Sequence, residues 1–118
     1  MPEYQHSSMA DGRWFNLSLA EQLSNIGSEF ERVLSWRKKN KPELSASAFD
    51  RMHELFDLTV QDPKWRNHRL KELLRLREAI NDELFSKNND QLFDSVKDLQ
   101  KYFLYFGILA RQDNIKVE

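Results

Sequence analysis

Apolar residues recur every three or four positions along four stretches of this chain, and no segment alternates between apolar and polar residues over a useful length. The three-to-four rhythm is typical of amphipathic α-helices that bury one face. Glycine and proline are rare, with three of each, and Pro42 and Pro63 fall between the apolar stretches. Helices joined by short turns favour antiparallel packing. The pattern therefore predicts an all-α protein, an antiparallel up-down-up-down four-helix bundle.

The first two predicted helices have clear starts and stops. Ser18 and Glu21 have the spacing of a capping box, in which hydroxyl and carboxylate each accept an amide at the helix start. The first helix therefore begins near Leu19, and it ends at the basic segment RKKNKP. The second begins near Pro42, because proline is tolerated in a first turn, and ends at QDP. The two apolar stripes comprise Leu19, Leu23, Ile26, Phe30 and Val33, and then Leu44, Ala48, Met52, Leu55 and Thr59.

The third and fourth predicted helices are bounded less sharply. The third runs from about Lys64 to Phe85 and ends at the turn-forming segment SKNND. The fourth spans residues 95–111 and starts at a second capping-box pattern, formed by Ser95 and Asp98. The DQLFD segment before it either extends this helix or forms a separate turn. The two stripes comprise Leu70, Leu73, Leu74, Ile80 and Leu84, and then Val96, Leu99, Phe103, Phe106 and Ala110.

Length and composition place these helices in one domain. A chain of 118 residues is long enough for a single core. We expect one helical-bundle domain over residues 14–111, a polar disordered leader over residues 1–13 and a disordered tail over residues 112–118. The first residues lack the basic and apolar regions of a secretory signal, and the sequence has no cysteine, as is common in a reducing cytosol. The sequence therefore predicts a cytoplasmic protein.

The decapeptide KYFLYFGILA, residues 101–110, is nearly all apolar although 31% of the chain is charged. On a helical wheel Leu104 and Ile108 point away from the core stripe of the fourth helix, and Tyr105 lies on its flank. The segment is too short to span a membrane, which takes about 20 residues. We expect a second copy of the chain to cover this face, with Trp36 at its rim, because most soluble oligomers are symmetric.

Cover from within one subunit is the alternative. Either the DQLFD segment or the leader with Trp14 and Phe15 would then fold over the face. The first functional hypothesis is a non-enzymatic interaction or accessory protein that self-associates, as a dimer or a larger species, through its C-terminal helix. A different protein partner for the same face stays open.

The charged residues form a single local basic patch in an otherwise nearly neutral sequence. The 18 basic and 19 acidic residues nearly cancel, so the whole molecule has no strong field. On the third predicted helix Lys64, Lys71 and Arg75 share the outer face and can follow a phosphate backbone, and Trp65 and His68 can stack on bases. The second hypothesis is therefore an RNA- or DNA-binding module from a mobile element or a toxin–antitoxin locus. Its alternative is the ordinary solvated face of an amphipathic helix.

Arg77 differs from the other cations of that helix because it falls within the apolar arc. A buried arginine must reach solvent or pair with an acid, since an isolated buried charge is strongly destabilising. The candidate partners are Glu29, Glu54, Asp57 and Asp82. The sequence predicts a structural ion pair, within one subunit or between two.

The sequence contains few residues in the patterns of catalytic or metal-binding sites. We expect no catalytic residue, metal or cofactor. Asp50 with His53, and His68 with Glu72, each place a carboxylate and an imidazole on one helical face. A di-iron bundle needs four carboxylates and two histidines facing inward, a pattern that the sequence lacks. A HEPN-type nuclease ranks last, because no arginine lies about four to six residues before either histidine, which is the spacing of that family's signature.

Three segments carry a resemblance to known sequences: SLAEQLSNIGSEFERVLSW, LFDLTVQDPKWRNHRLKELLRLRE and DLQKYF. Together they resemble a family of small uncharacterised prokaryotic all-helical proteins, over roughly residues 14–111. The resemblance implies one helical domain of prokaryotic origin. It implies no activity, cofactor or catalytic residue.

Overall fold

The computed structural model of the chain describes residues 12–66 and 68–116, apart from the side chains of residues 68 and 113–116. This part of the chain is all-helical and contains no strand, which confirms the predicted all-α class. It contains five α-helices where the sequence predicted four. They are α1 (Leu19–Lys38), α2 (Pro42–Val60), α3 (His68–Ser86), α4 (Asn89–Ser95) and α5 (Lys97–Lys116). Short 3-10 turns, Arg13–Asn16 and Pro63–Trp65, precede α1 and α3.

The ends of α1 and α2 follow the predicted local chemistry. Ser18 Oγ accepts the amide of Glu21 at 3.1 Å, and Glu21 Oε1 accepts the amide of Ser18 at 3.0 Å, which completes the capping box. After α1, Asn40 takes a left-handed conformation with a φ of 56°, which asparagine tolerates better than most residues. Pro42 opens α2, because an amide at that position has no partner within the helix.

The third helix begins later than predicted. Residues Pro63–Trp65 form a 3-10 turn capped by Asp62, whose Oδ1 accepts the amide of Lys64 at 2.9 Å. The α-helix itself starts at His68. Lys64 therefore does not lie on the outer face of α3 with Lys71 and Arg75, and that part of the prediction is wrong.

The DQLFD segment forms a separate helix, α4. The side chain of Asn88 caps it by accepting the amide of Gln91 at 3.0 Å, and a break at Val96 separates it from α5. The predicted second capping box is wrong, because Ser95 is the last residue of α4 and its hydroxyl donates to Glu83 at 2.5 Å. Because Ser95 belongs to α4, it lacks the non-helical backbone of a residue that caps the start of α5.

The last helix ends at Lys116 rather than at residue 111. Neither glycine nor proline occurs over residues 112–116, so no residue there interrupts the helix. Nearly all of the predicted leader, residues 1–11, and the last two residues of the predicted tail lie outside the described part of the chain.

Helix α1 organises the packing, since it lies against both α2 and α5, while α3 packs on α2. Leu44 and Leu74, predicted on core stripes, are each 45% exposed, and Leu76 is buried instead in α3. The core combines side chains from all five helices and both 3-10 turns. Its largest members are Trp14, Trp65, Phe30, Phe56, Leu23, Ile26, Met52, Leu73, Ile80, Leu92 and Val96.

A buried polar cluster, formed by Trp14, Gln22, Asp62 and Trp65 and called the Gln22 cluster below, joins both 3-10 turns to α1. Gln22 Nε2 donates to the carbonyl of Trp14 at 3.1 Å and to Asp62 Oδ2 at 2.7 Å. Gln22 Oε1 accepts the indole N–H of Trp65 at 2.8 Å. The nitrogen and the oxygen of this amide are therefore both paired, as a buried amide requires.

Asp62 is the one carboxylate of this cluster. Burial alone would raise its pKa, but hydrogen bonds from the side chain and amide of Lys64 and from Gln22 outweigh burial and hold the pKa below its ordinary value. Lys64 Nζ lies 2.6 Å from Asp62 Oδ2 and also donates to the carbonyl of Phe15 at 2.7 Å. The ammonium group of Lys64 is therefore occupied in closing the fold.

Candidate functional site

Three large side chains of α5 form an exposed apolar face: Leu104, Tyr105 and Ile108. They are 59%, 58% and 43% exposed, whereas their neighbour Phe103 is 5% exposed. Aromatic packing holds α5 in this orientation from its inner side, where the ring of Phe103 lies 5.7 Å from the ring of Phe30 on α1. The apolar face thus points away from the core for a structural reason.

Tyr102 adds a polar anchor on the inner side of α5. Its hydroxyl donates to Glu72 Oε1 of α3 at 2.9 Å. Burial, and then the hydrogen bond and the charge of Glu72, raise the pKa of Tyr102 well above its ordinary value. This bond ties α5 to α3 and helps to fix which of its faces is exposed.

Neither intramolecular cover lies over the apolar face in the described part of the chain. Leu92 of the DQLFD segment is fully buried in the core. Trp14 is also fully buried, and its indole donates to Thr59 Oγ1 at 2.9 Å, while Phe15 packs against the core beside it. The DQLFD segment and the first 3-10 turn therefore pack into the core and leave the apolar face uncovered.

Trp36 does not join the apolar face. Gly27 of α1 lies against Phe103, and Trp36 follows nine residues later, which is about 14 Å further along the helix. Its ring is half-buried against the core, and Lys39 Nζ lies 5.2 Å from the ring centroid. Trp36 thus lies over the end of α1, as in the alternative interpretation, and its place at the rim of an interface stays a prediction.

A groove runs beside the apolar face between α1 and α5, and its volume is about 500 Å³. It is called the α1–α5 groove below. The two helices approach closely at Gly27, which has no side chain. A Cβ added at this residue would lie only 2.7 Å from Phe103 Cβ. The lining of the groove comprises Ser24, Gly27, Ser28, Glu31, Lys97, Gln100, Lys101, Phe103, Leu104 and Gly107. A further cavity of about 400 Å³ shares Ser24 and Gly107 with it and extends it to Glu21 and Arg111.

The two walls of this extended groove carry opposite charge. The α1 wall contributes Glu21 and Glu31, and the α5 wall contributes Lys97, Lys101 and Arg111. Gln100 Nε2 bridges the walls by donating to Glu31 Oε1 at 3.1 Å. An approaching helix would therefore meet an acidic edge on one side and a basic edge on the other.

The basic patch of the third helix is smaller than predicted. Lys64 lies on the 3-10 turn with its ammonium group bound to Asp62, and Trp65 is 2% exposed with its indole bonded to Gln22. Trp65 therefore offers no ring for base stacking, which corrects its prediction. Lys71 and Arg75 are exposed on α3 as expected.

His68 was the second candidate for base stacking, and its side chain lies outside the described part of the structure. Base stacking on an aromatic ring is the main sequence-tolerant contribution to single-strand binding. The described residues supply two cations of the proposed nucleic-acid surface and no stacking ring.

Arg77 forms the predicted structural ion pair, with Asp57 as its partner at 2.7 Å. Its guanidinium also donates to His53 Nδ1 from Nη2 at 3.0 Å, and it lies 5.6 Å from the ring of Phe56. Because arginine only donates, His53 carries its proton on Nε2 and donates to Asn81 Oδ1 at 2.9 Å. Burial, with a smaller effect from the charge of Arg77, lowers the pKa of His53.

Both ring nitrogens of His53 are thus engaged in holding α2 and α3 together. The described residues contain no group of three or more histidine and acidic side chains placed to hold a metal ion. None of the helices in this part of the chain has the length and apolar character needed to cross a membrane.

No protein-family model, curated protein or solved structure matches the chain. The resemblance to small prokaryotic helical proteins therefore stays a prediction.

Two features of this surface escaped the sequence analysis. Gly27 is a glycine inside a helical pattern, a signal for close approach of another chain segment, and it marks the crossing with α5. Glu31 could not be identified from the sequence, because its place on the groove depends on Gln100, which lies 69 residues later.

Proposed function

We propose that the protein is a cytoplasmic, non-enzymatic interaction protein that self-associates through α5. The observation that carries the proposal is the joint exposure of Leu104, Tyr105 and Ile108 on one face. The scaffold that we propose for this face is an antiparallel bundle of the four long helices, α1, α2, α3 and α5, with α4 as a connector.

The size of the apolar face sets the expected strength of association. A fully buried leucine or isoleucine side chain contributes about 1.5–3 kcal/mol, so half-exposed side chains contribute roughly 1 kcal/mol each. Six such side chains in a symmetric dimer give about 6 kcal/mol, which is close to the lower estimates of the cost of association, about 4 kcal/mol and upward. The surplus of about 2 kcal/mol corresponds to a dissociation constant of roughly tens of millimolar. Association at lower concentration therefore needs contacts beyond these six side chains, and we expect a dimer that dissociates on dilution.

The test is a charge placed in the centre of the face. Leu104→Asp combined with Ile108→Asp should reduce the particle mass to the 14.1 kDa of one chain, because dimerisation would then bury two carboxylates in each subunit. Both side chains are exposed in the single subunit, so helix content measured by circular dichroism should stay unchanged. Particle mass is measured by light scattering coupled to size exclusion.

A matched control uses two exposed leucines elsewhere on the surface. Leu44 and Leu74 are each 45% exposed, and they lie on α2 and α3. Leu44→Asp combined with Leu74→Asp should leave the wild-type mass unchanged. If the control variant dissociates as readily as the α5 variant, or if the α5 variant keeps the wild-type mass, self-association through α5 is contradicted.

A further inference from the structure

We infer that the α1–α5 groove is the seat for α5 of a second copy, so that two chains exchange their α5 faces around a two-fold axis. The inference rests on the proposed self-association and adds which surface receives the apolar face. Leu104 already lines the groove, so the apolar face and its receptor are continuous on one surface. A surface that carries both halves of a contact suits the self-complementary interface of a two-fold dimer.

Helix direction follows from contacts within one chain. Gln100 bonds to Glu31, and Gly107 lies beside Ser24, so residue numbers rise along α5 as they fall along α1. The two helices are therefore antiparallel. A two-fold axis perpendicular to α5 makes the second copy's α5 antiparallel to the first, and hence parallel to α1.

Charge complementarity then fixes which residues meet. Glu21 and Glu31 on the α1 edge are ten residues apart, and so are Lys101 and Arg111 on α5. Ten residues span about 15 Å on any α-helix, so the two pairs have the same separation. With the incoming α5 parallel to α1, Lys101 of the second copy faces Glu21 and Arg111 of the second copy faces Glu31.

The reverse orientation matches less well. It would bring Lys101 of the second copy to Glu31 and Arg111 to Glu21, but it requires the two α5 helices to be parallel. A two-fold axis that runs along the helices would then align Lys97, Lys101 and Arg111 with their own copies, which are three like-charge contacts. The antiparallel pair also brings like charges together, but only at two symmetric contacts, where Lys101 of one copy lies beside Arg111 of the other. Charge therefore favours the antiparallel pair.

The experiment is a charge exchange at one of these contacts. Glu31→Lys turns the Glu31 contact repulsive in its own homodimer, and Arg111→Glu does the same from the other side. Each variant alone should dissociate about tenfold more readily than wild type, because two contacts per dimer change from attraction to repulsion. An equimolar mixture of the two should recover wild-type association. In the mixed dimer the introduced lysine of one chain meets the introduced glutamate of the other, and the unchanged Glu31 meets the unchanged Arg111 at the second contact.

The control exchanges the same charges away from the groove. Asp82→Lys and Arg75→Glu on α3 change the net charge by the same amounts at exposed positions, and they should dissociate as wild type does. Folding is checked by circular dichroism. Glu31 should tolerate substitution because its side chain is exposed and its hydrogen bond to Gln100 lies at the surface. Dissociation is measured by sedimentation velocity of labelled chain over a dilution series.

The outcomes separate this inference from the function on which it rests. Weak homodimers of both variants with a restored mixture support the groove as the seat of α5. Wild-type association of Glu31→Lys and Arg111→Glu, together with loss of association in the Leu104 and Ile108 double variant, overturns the groove and retains self-association through α5. A wild-type chain that is monomeric at every concentration overturns both.

Discussion

Gln22 shows at the residue scale how a single amide can organise the end of a helical domain. Its side chain is fully buried, and it joins a carbonyl of the first 3-10 turn to a carboxylate and an indole of the second. Buried polar groups are costly when they lose their partners, because water cannot replace the lost bonds. The Gln22 cluster therefore fixes the first 3-10 turn on the core more specifically than apolar packing alone.

We predict that Gln22→Leu destabilises the fold by about 2–4 kcal/mol, because the indole of Trp65 and the carbonyl of Trp14 lose their partners. Urea denaturation followed by tryptophan fluorescence measures the change. Gln91→Leu is the control, since Gln91 is exposed on α4, and it should change the free energy of unfolding by no more than about 0.5 kcal/mol. Equal stabilities of the two variants would contradict the assigned role of the cluster.

His53 makes stability depend on pH. Its pKa is lowered in the folded state from the ordinary 6.5, so between those two values the unfolded chain binds more protons than the folded one. The stability that the neutral ring contributes is complete above pH 6.5 and is lost as pH falls through the folded pKa. The charges that act on the ring are Arg77 from α3 and Asp57 and Asp50 from α2.

We therefore predict that wild type loses stability relative to His53→Gln when pH falls from 7 to 5. The comparison cancels the titration of the other two histidines, which both proteins share. Thermal or urea unfolding at each pH provides the measurement. A stability difference that stays constant over this range would show that protonation of His53 is not coupled to folding.

The sequence alone predicted some of the side-chain contacts described here and missed others. The position of Arg77 in an apolar arc sufficed to predict an ion pair and to include Asp57 among four candidates. The burial of Trp65 could not be predicted in the same way, because its indole partner Gln22 lies 43 residues away. Local patterns report which residues need a partner, and only the fold determines which partner is near.

The crossing of α1 and α5 is the feature at the element scale that creates the candidate site. Gly27 leaves room for the Phe103 ring, so the two helix axes come close and the groove forms beside their crossing. Gly107 lies in the same groove, but it has room for a side chain. A Cβ at Gly107 would meet Ser24 Oγ at 3.6 Å, an ordinary van der Waals distance.

We predict that Gly27→Ala destabilises the fold by about 1–3 kcal/mol through overpacking against Phe103. Gly107→Ala should instead stabilise it by up to about 1 kcal/mol, because alanine favours helix and no clash opposes it. Both are measured by urea denaturation in the Leu104→Asp and Ile108→Asp background, which separates folding from association. Stabilisation by Gly27→Ala would contradict the close crossing.

Helix boundaries show where sequence reasoning works at this scale. The capping box at Ser18 was predicted and is present, because every group that it needs lies within four residues. The same pattern at Ser95 failed, because Ser95 is the last residue of α4, whereas an N-cap residue has non-helical backbone angles. A capping pattern therefore predicts a helix start only where its first residue does not already belong to another helix.

At the scale of the whole molecule, the described part of the chain combines an all-helical core with an uncovered apolar face on α5. The helix class, the burial of most stripe positions and the exposure of Leu104 and Ile108 follow from periodicity. The α1–α5 groove could not be predicted, since it depends on how two helices far apart in sequence cross. The proposed interface needs both features, and only one of them is visible in the sequence.

The most direct test of self-association is the particle mass of the wild-type chain, measured by light scattering on size exclusion over a dilution series and at two salt concentrations. The account predicts a mass of twice 14.1 kDa at high concentration, which falls toward that of one chain on dilution. High salt should weaken the dimer moderately, because exposed ion pairs are screened while apolar contacts persist. A mass of 14.1 kDa at every concentration and both salts would contradict it.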